Sequence, residues 1–468
     1  MSAGVVIKEK KMGKEKKKFT LPPSEVAEVL KEGDVWAKLS LIIMGFANLK
    51  RKQFVKAFLF LFIEVAFIMY MIKSGIAAIK GMFTLGTQTQ GWVFDEALGI
   101  DVLAAGDNSM LLLLWGVVCL FVIAAFCIVW RSNLKSALEV QKLEAEGKNI
   151  PGLVDDIKTY MDSKFHCTML ALPMLGVLAF TVMPLVNMIL VAFTNYDNAH
   201  QPPGNLFDWI GLDNFFTVLG SGGLISQTFW PVLGWTIIWA VFATLLNYVG
   251  GILLALLINR KGVKFKAFWR TCFVMSIAIP SFVSLLVMKT MLQPDGAVNV
   301  LLKQLGWITE SIPFFTNANF ARVTIIVINL WIGIPYTMLI TSGILMNIPA
   351  ELYEAASIDG ASAPIMFRKI TMPYVIFVTT PYLIQQFIGN INNFNVIYLL
   401  SAGGPSTLDY YQAGKTDLLV TWLYKLTVSS KDYSYASTIG ILVFVISAVF
   451  SLVIYRRTSA YNNEEAFQ

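Results

Sequence analysis

The sequence predicts an all-α polytopic membrane protein with about eight transmembrane helices and both termini on the cytoplasmic side. Three observations predict it. The 468-residue chain is 56% hydrophobic and 14% charged, whereas soluble globular chains are about 45–50% apolar and about 25% charged. Its apolar residues fall in long runs. Met110–Trp130, MLLLLWGVVCLFVIAAFCIVW, has no charge and at about 1.5 Å per residue crosses a hydrocarbon core of about 30 Å. Its basic residues, finally, gather between alternate runs, and lipid leaves each backbone N–H no partner but its own helix.

The predicted spans are 54–72, 110–130, 169–193, 232–258, 268–292, 322–346, 373–400 and 438–455. Lys56 and Glu64 interrupt the first, and the second half of the seventh is polar. No cleavable signal peptide is expected, because the first apolar run follows some fifty Lys-rich residues without a small-residue cleavage site. The tail Lys8–Lys18 reads as disordered: an orientation signal, or a contact for anionic lipid heads. Trp36–Leu49 is apolar but short and reads as an interfacial helix.

Lysine and arginine set the orientation. With the N-terminus inside, 26 of the 36 basic residues lie on the cytoplasmic side, including Arg260, Lys261, Lys264 and Lys266 in one loop, and six lie outside. Glu64, the one carboxylate deep in a span, reads as a bond to a neighbouring helix or a snorkel toward Lys56 or Lys73, with proton coupling as the functional alternative. No disulfide is expected, since Cys119, Cys127, Cys167 and Cys272 lie in or beside apolar runs. With only His166 and His200, no metal or catalytic cluster is expected, and no cofactor. Ala413-Gly414-Lys415-Thr416 ends like a phosphate-binding loop but has Asp409 where the motif needs glycine. The chain is therefore read as a membrane protein that is not itself an enzyme, with no nucleic-acid partner.

The loop between the sixth and seventh runs, Asn347–Pro373, is the most informative stretch. Asn347 is a candidate cap, with Pro349 in the first turn. Leu352, Ala355 and Ala356 form one small-sided face, and Gly360 is placed to end the helix in a left-handed conformation. Ser362 and Pro364 open a second short helix, and Pro373 returns the chain to the membrane. The product is a compact cytoplasmic hairpin shaped for a partner to approach.

The series Glu354-Ala355-Ala356, Asp359-Gly360-Ala361, Phe367, Ile370 and Pro373 resembles the EAA loop of ABC-importer permeases. With Phe207–Phe215 and the Lys38–Ile63 stretch, it is similar to the MalF-type permease family of carbohydrate importers, on the side of the Gram-positive maltodextrin and galacto-oligosaccharide permeases. The resemblance implies a type I (MetI-like) permease fold. Residues 1–53 would be a basic cytoplasmic segment, 54–168 two accessory helices and a loop, 169–455 the core permease, and 456–468 a cytoplasmic tail. It implies Glu354, Ala355, Ala356, Asp359 and Gly360 as the residues that couple to an ATPase. It implies as partners a second, MalG-like permease subunit, two ATPase subunits, an extracellular sugar-binding lipoprotein and membrane lipids, with an oligosaccharide as cargo at a Gram-positive cell membrane. The short Asn195–Pro231 connection departs from Gram-negative relatives, which carry a large extra domain there.

For the sugar path, the seventh run crowds Gln385, Gln386, Asn390, Asn392, Asn393 and Asn395 together with Phe387 and Phe394. Asn390 and Asn393 share a helical face, with Gln386 one turn earlier. Amides are costly in lipid unless they line a cavity or bind helices together, and both readings stand. In the sixth run Pro335 frees a carbonyl and kinks the helix, and Gly333 lets a ligand reach the backbone. The resemblance supports Gly333, Tyr336, Asn390 and Asn393 as sugar contacts, while Gly389 stands where the family has a ring. A stand-alone secondary carrier is the competing class. It calls for mid-membrane ionisable groups and internal repeats, and the sequence offers only Glu64.

Overall fold

A computed structural model describes residues 25–96, 99–260 and 262–457, without the side chains of Asp95 and Arg457. The Lys8–Lys18 tail, Lys261 and the final tail lie outside the described residues. In chain order the elements begin with α1 (Glu25–Glu32), α2 (Val35–Leu39), α3 (Phe46–Lys50) and α4 (Phe54–Thr84). Strands β1 (Gly91–Asp95) and β2 (Ile100–Ala104) follow, then α5 (Ser109–Ala145), α6 (Leu153–Met161), α7 (Phe165–Val191), α8 (Asp213–Leu219) and α9 (Leu224–Asn259). The rest are α10 (Lys266–Ala278), α11 (Ser281–Met291), α12 (Ala297–Gln304), α13 (Ala318–Met346), α14 (Ala350–Ile358), α15 (Ala363–Met366), α16 (Met372–Ile391), α17 (Phe394–Ser401), α18 (Leu419–Lys425) and α19 (Tyr433–Arg457). β1 and β2 form an antiparallel hairpin pairing Gly91 with Ala104.

Among the described residues six helices, α4, α5, α7, α9, α13 and α19, are long and apolar enough to cross a membrane. Their outward side chains are largely apolar, Phe180 at 85% and Phe444 at 72% exposure among them, as lipid-facing groups are. The fifth predicted span is not one straight helix. It breaks at Ile279–Pro280 into α10 and α11, which meet at 86° and make a seventh crossing if the pair spans. Proline has no N–H, and it forces the preceding residue out of helical conformation; Ile279 is extended. The seventh predicted span ends early, at Ile391, because the chain turns at Asn392 and Asn393 before α17. The 20 residues of α16 still reach about 30 Å.

The chain divides into two compact units. One holds residues 1–83 and 111–184, the other 84–110 and 185–468, so the division falls inside α7. In the first, Val29, Ala37, Ala47, Leu134, Ala137 and Leu138 form a core. Trp36–Leu49 is not a single interfacial helix: α2 and α3 are separated by a turn in which Gly45 has φ 85°. That turn is bonded to the helices beside it. The Gly45 N–H donates to Asn133 Oδ1 at 2.8 Å, and the Met44 N–H donates to Glu64 Oε2 at 2.8 Å. Glu64 therefore neither snorkels toward Lys73 nor pairs with Lys56, whose partner is Asp156 at 3.5 Å. Buried Arg51 holds Asp34 and Glu144, each at 2.6 Å.

In the second unit α9 packs most extensively along α13 and then on α16. Gly250 and Gly251 make this close: a Cβ on either would overlap Ile334 or Thr337 of α13. One core cluster gathers Phe229, Val232, Phe387, Trp422 and Ile439, and another gathers Trp235, Trp239, Leu285, Ile325 and Ile397. Beyond the helices, the segment 402–432 folds back on the bundle. Trp235 Nε1 donates to the Thr416 carbonyl at 3.1 Å, and Arg322 donates to the Lys415 carbonyl while its guanidinium lies 4.7 Å from the Trp235 ring.

Candidate functional site: a surface hairpin and an intramembrane cavity

The hairpin 347–373 forms much as its sequence dictates. Asn347, however, closes α13 rather than opening the next helix, and Pro349 takes the N-cap position of α14. Gly360 has φ 77°, the left-handed value that stops α14, and Ser362 takes the N-cap position of α15 without a side-chain capping bond, with proline in the first turn. A single π-helical turn, Phe367–Thr371, runs directly into α16.

No residue of α14 is buried. Glu354, Ala355, Asp359 and Gly360 are exposed, Ala356 is half-buried, and Ile358 projects at 87% exposure. An exposed isoleucine beside two alanines is an apolar patch that no described residue covers. One strut fixes the hairpin: the Tyr353 hydroxyl bonds Thr371 Oγ1 at 2.8 Å, and Thr371 is buried at the root of α16.

The two helices that leave this hairpin converge on one cavity together with α9. Its lining includes Thr244, Asn247, Gly333, Tyr336, Tyr382 and Gln386. Along the helices it stands 13 residues from the end of α13 (Gly333), 14 from the start of α16 (Gln386) and 12 from the end of α9 (Asn247), or about 18–21 Å in each case. Three walls thus meet at one depth, well inside the hydrocarbon layer. The cavity measures about 30 Å³, room for a water or two and far below the roughly 300–1,000 Å³ of ligand pockets. In this structure the cavity is closed to a sugar ring.

Of the residues expected on a sugar path, Gly333, Tyr336 and Gln386 line this cavity. Gly333 does not open the backbone to a ligand here. A Cβ there would overlap the amide of Asn247, so glycine admits the α9 side chain. Tyr336 is half-exposed, its ring 6.2 Å from that of Tyr382, and α13 runs through buried Pro335 without a break. Asn390 is buried outside the lining: its Nδ2 donates to Thr244 Oγ1 at 3.0 Å, and its carbonyl accepts from Trp239 Nε1 at 3.1 Å. Asn393 caps α17, accepting the Val396 N–H at 3.3 Å. At Gly389 there is open space where a side chain would stand.

Asn247 escaped the sequence reading. Its Oδ1 is buried without a hydrogen-bond partner and it lines the cavity. The signal was present, since it is the one amide within the apolar run 232–258.

At the far end of the bundle lies a polar cap. Asp417 is fully buried; its Oδ2 accepts from Lys425 Nζ at 2.5 Å and from the Gly414 N–H at 2.7 Å. Burial pushes this carboxyl up despite the lysine. Burial likewise raises Asp432, opposed by the Tyr411 hydroxyl that donates to it at 2.7 Å and reinforced by Asp197. Tyr411 itself is pushed up to about 12, by burial first and then by Asp432. Lys415 and Thr416, which end the phosphate-loop lookalike, are structural: Lys415 Nζ sits 3.8 Å over the Tyr410 ring, and Thr416 bonds Ser401 and Gly404.

Comparison with known proteins places this geometry. Residues 248–459 match the model of the binding-protein-dependent transport system inner membrane component. The chain is 35% identical to the galactooligosaccharides transport system permease protein GanP of Bacillus subtilis, over 92% of this chain and 98% of that protein. It is 34% identical to the maltodextrin transport system permease protein MdxF of the same organism, over 92% and 97%. Among solved structures, a bacterial alginate ABC transporter in complex with a pentasaccharide-bound periplasmic protein aligns with a TM-score of 0.52 at 25% identity, covering 64% of this chain and 95% of the matched one.

Proposed function

This chain belongs to the family of inner membrane components of binding-protein-dependent transport systems, and from that premise we propose that it moves a maltodextrin-type oligosaccharide through the cavity between α9, α13 and α16. It is a multi-pass membrane permease subunit of an ATP-driven importer, working with a second permease, ATPase subunits and a binding protein. The observation that carries the path is the convergence of both hairpin-bearing helices on one polar cavity. A thrust on α14 passes through the Tyr353–Thr371 strut into α16, and the cavity wall moves with it.

In this reading Glu354, Ala355, Ala356, Asp359 and Gly360 meet a cytoplasmic ATPase. The small side chains admit its surface, and Ile358 enters an apolar recess of it. The positive-inside distribution supports the hairpin side as cytoplasmic. ATP-driven closure spreads the three walls outward, a saccharide delivered by the binding protein enters, and hydrolysis reverses the movement. Tyr336 and Tyr382 offer rings for stacking, and Asn247 and Gln386 offer hydrogen bonds. Asn390 acts one layer back by holding Thr244, and Asn393 by holding α17. The 53-residue N-terminal segment and α4–α5 serve as an accessory unit to the core permease, in a Gram-positive cell membrane.

The test is uptake of labelled maltotriose by proteoliposomes holding the complete importer, its binding protein and internal ATP. The reading expects ATP-dependent uptake that Gln386→Ala weakens without reducing assembly. Galacto-oligosaccharide is the second reading, favoured by the similarity to GanP. Uptake of galactosyl oligosaccharides alone would transfer the assignment to it, and uptake without ATPase subunits would overturn both.

A further inference from the structure

In the first unit a groove of about 770 Å³ opens among α4, α5, α6 and the start of α7. One wall is the first three turns of α4, with Val55, Leu59, Phe60 and Ile63 turned inward at helical spacing. The opposite wall is α6, an amphipathic helix none of whose residues is buried. Leu153, Ile157 and Met161 repeat along its groove side and remain 50%, 50% and 69% exposed. Two apolar faces thus look at each other across a space that no side chain of the described residues fills.

Charge also lines this space. Lys56, Lys135 and Lys164 line it against two carboxylates, Glu139 and Asp156. Lys56 and Asp156 pair with each other at 3.5 Å. Lys135 and Lys164 have no ion pair among the described residues. Position along the helices places these two lysines. Lys135 stands four residues nearer the apolar run of α5 than Glu139, about 6 Å, and Lys164 immediately precedes α7 where it starts its crossing. Lys135 and Lys164, the latter with its Nζ 5.5 Å over the Tyr160 ring, therefore stand near where hydrocarbon gives way to water, in the lining of an apolar slot.

We propose that this groove holds an anionic membrane glycerophospholipid, one acyl chain between α4 and α6 and its phosphodiester on Lys135 and Lys164. An inorganic anion would satisfy the lysines and leave the apolar walls facing water. A zwitterionic lipid would fill the slot without using the unpaired charge. The bound lipid seats α6, which otherwise has little to pack on, and so ties the cytoplasmic loop of this unit to the bilayer.

The experiment uses the assembled importer, delipidated in detergent and titrated with phosphatidylglycerol or phosphatidylcholine of identical chains, with native mass spectrometry of the dissociated subunit as the readout. Each lysine near a headgroup strengthens anionic binding about fivefold, so phosphatidylglycerol is expected to be retained about thirtyfold more tightly than phosphatidylcholine. K135Q/K164Q brings the two lipids level. Lys148→Gln, whose lysine pairs with Glu146 at 2.6 Å away from the groove, leaves the preference unchanged. Ile157→Asn weakens both lipids alike and keeps the headgroup preference. Equal retention of the two lipids by the unaltered importer would overturn the proposal. So would a preference that survives K135Q/K164Q, displacement of the lipid by glycerol phosphate alone, or recovery of a peptide from a partner subunit cross-linked in the groove.

Discussion

Asn247→Ala separates a sugar contact from helix glue more cleanly than any of the residues chosen from sequence. Asn247 Oδ1 is buried with no protein partner beside a cavity with room for a water or two, and an unsatisfied buried acceptor costs up to about 1–3 kcal/mol. Truncation removes that penalty. It also removes the amide that packs against Gly333, which offsets part of that relief. The closed protein is therefore expected to keep its stability or gain about 1 kcal/mol. If a sugar hydroxyl satisfies Oδ1 during transport, the variant loses a neutral hydrogen bond of about 0.5–1.5 kcal/mol, a weakening of roughly twofold to tenfold in apparent affinity. The assay pairs thermal unfolding of the purified importer with concentration-dependent maltotriose uptake in proteoliposomes. A variant that unfolds earlier yet transports with unchanged affinity would show that Asn247 binds helices together, and the cavity would lose its claim on the sugar.

Three further outcomes follow from the same geometry. Tyr353→Phe removes the strut between α14 and Thr371 and should lower sugar uptake per ATP hydrolysed, with ATPase docking, read by co-purification, unchanged. Lys425→Met strands the buried Asp417 carboxylate and should destabilise the protein by about 3 kcal/mol; Asp417→Asn in the same chain should restore most of the loss in thermal unfolding. Asp432 is raised by burial, so the folded state binds a proton that the unfolded state has lost. Its contribution is fully present below about pH 4, the ordinary carboxyl value, and is lost as pH rises through the elevated one. Asp432→Asn, which keeps an acceptor for Tyr411, should flatten the decline of unfolding temperature with rising pH across that window.

The coupling hairpin was readable in detail because its determinants are local. Gly360 and Pro364 act through their own backbone conformation, and the structure uses both so, while Ser362 stands at the N-cap position without its side-chain bond. Two local signals were misread. Asn347 was assigned to the helix after it and closes the helix before it, since a side chain able to cap serves either end. Pro280, inside an unbroken apolar run, was passed over, yet it breaks the predicted fifth span into two helices. The amides of the seventh run divide three ways that the sequence leaves open, among cavity, packing and an exposed surface that holds Gln385, Asn392 and Asn395. Gln386 lines the cavity while Asn390, one turn on, is spent on Thr244.

The sequence alone determined the solvent of this protein, the helical character of its spans and the shape of its surface hairpin. Apolar run length, backbone hydrogen bonding and turn chemistry act within a few residues of one another. Tertiary structure decided which helix faces meet. Gly333 serves Asn247, Glu64 holds the Met44–Gly45 turn, and Asn247 is left as an unpaired acceptor. Each depends on the rotation and depth of one helix against another, which packing fixes and helical periodicity by itself leaves open.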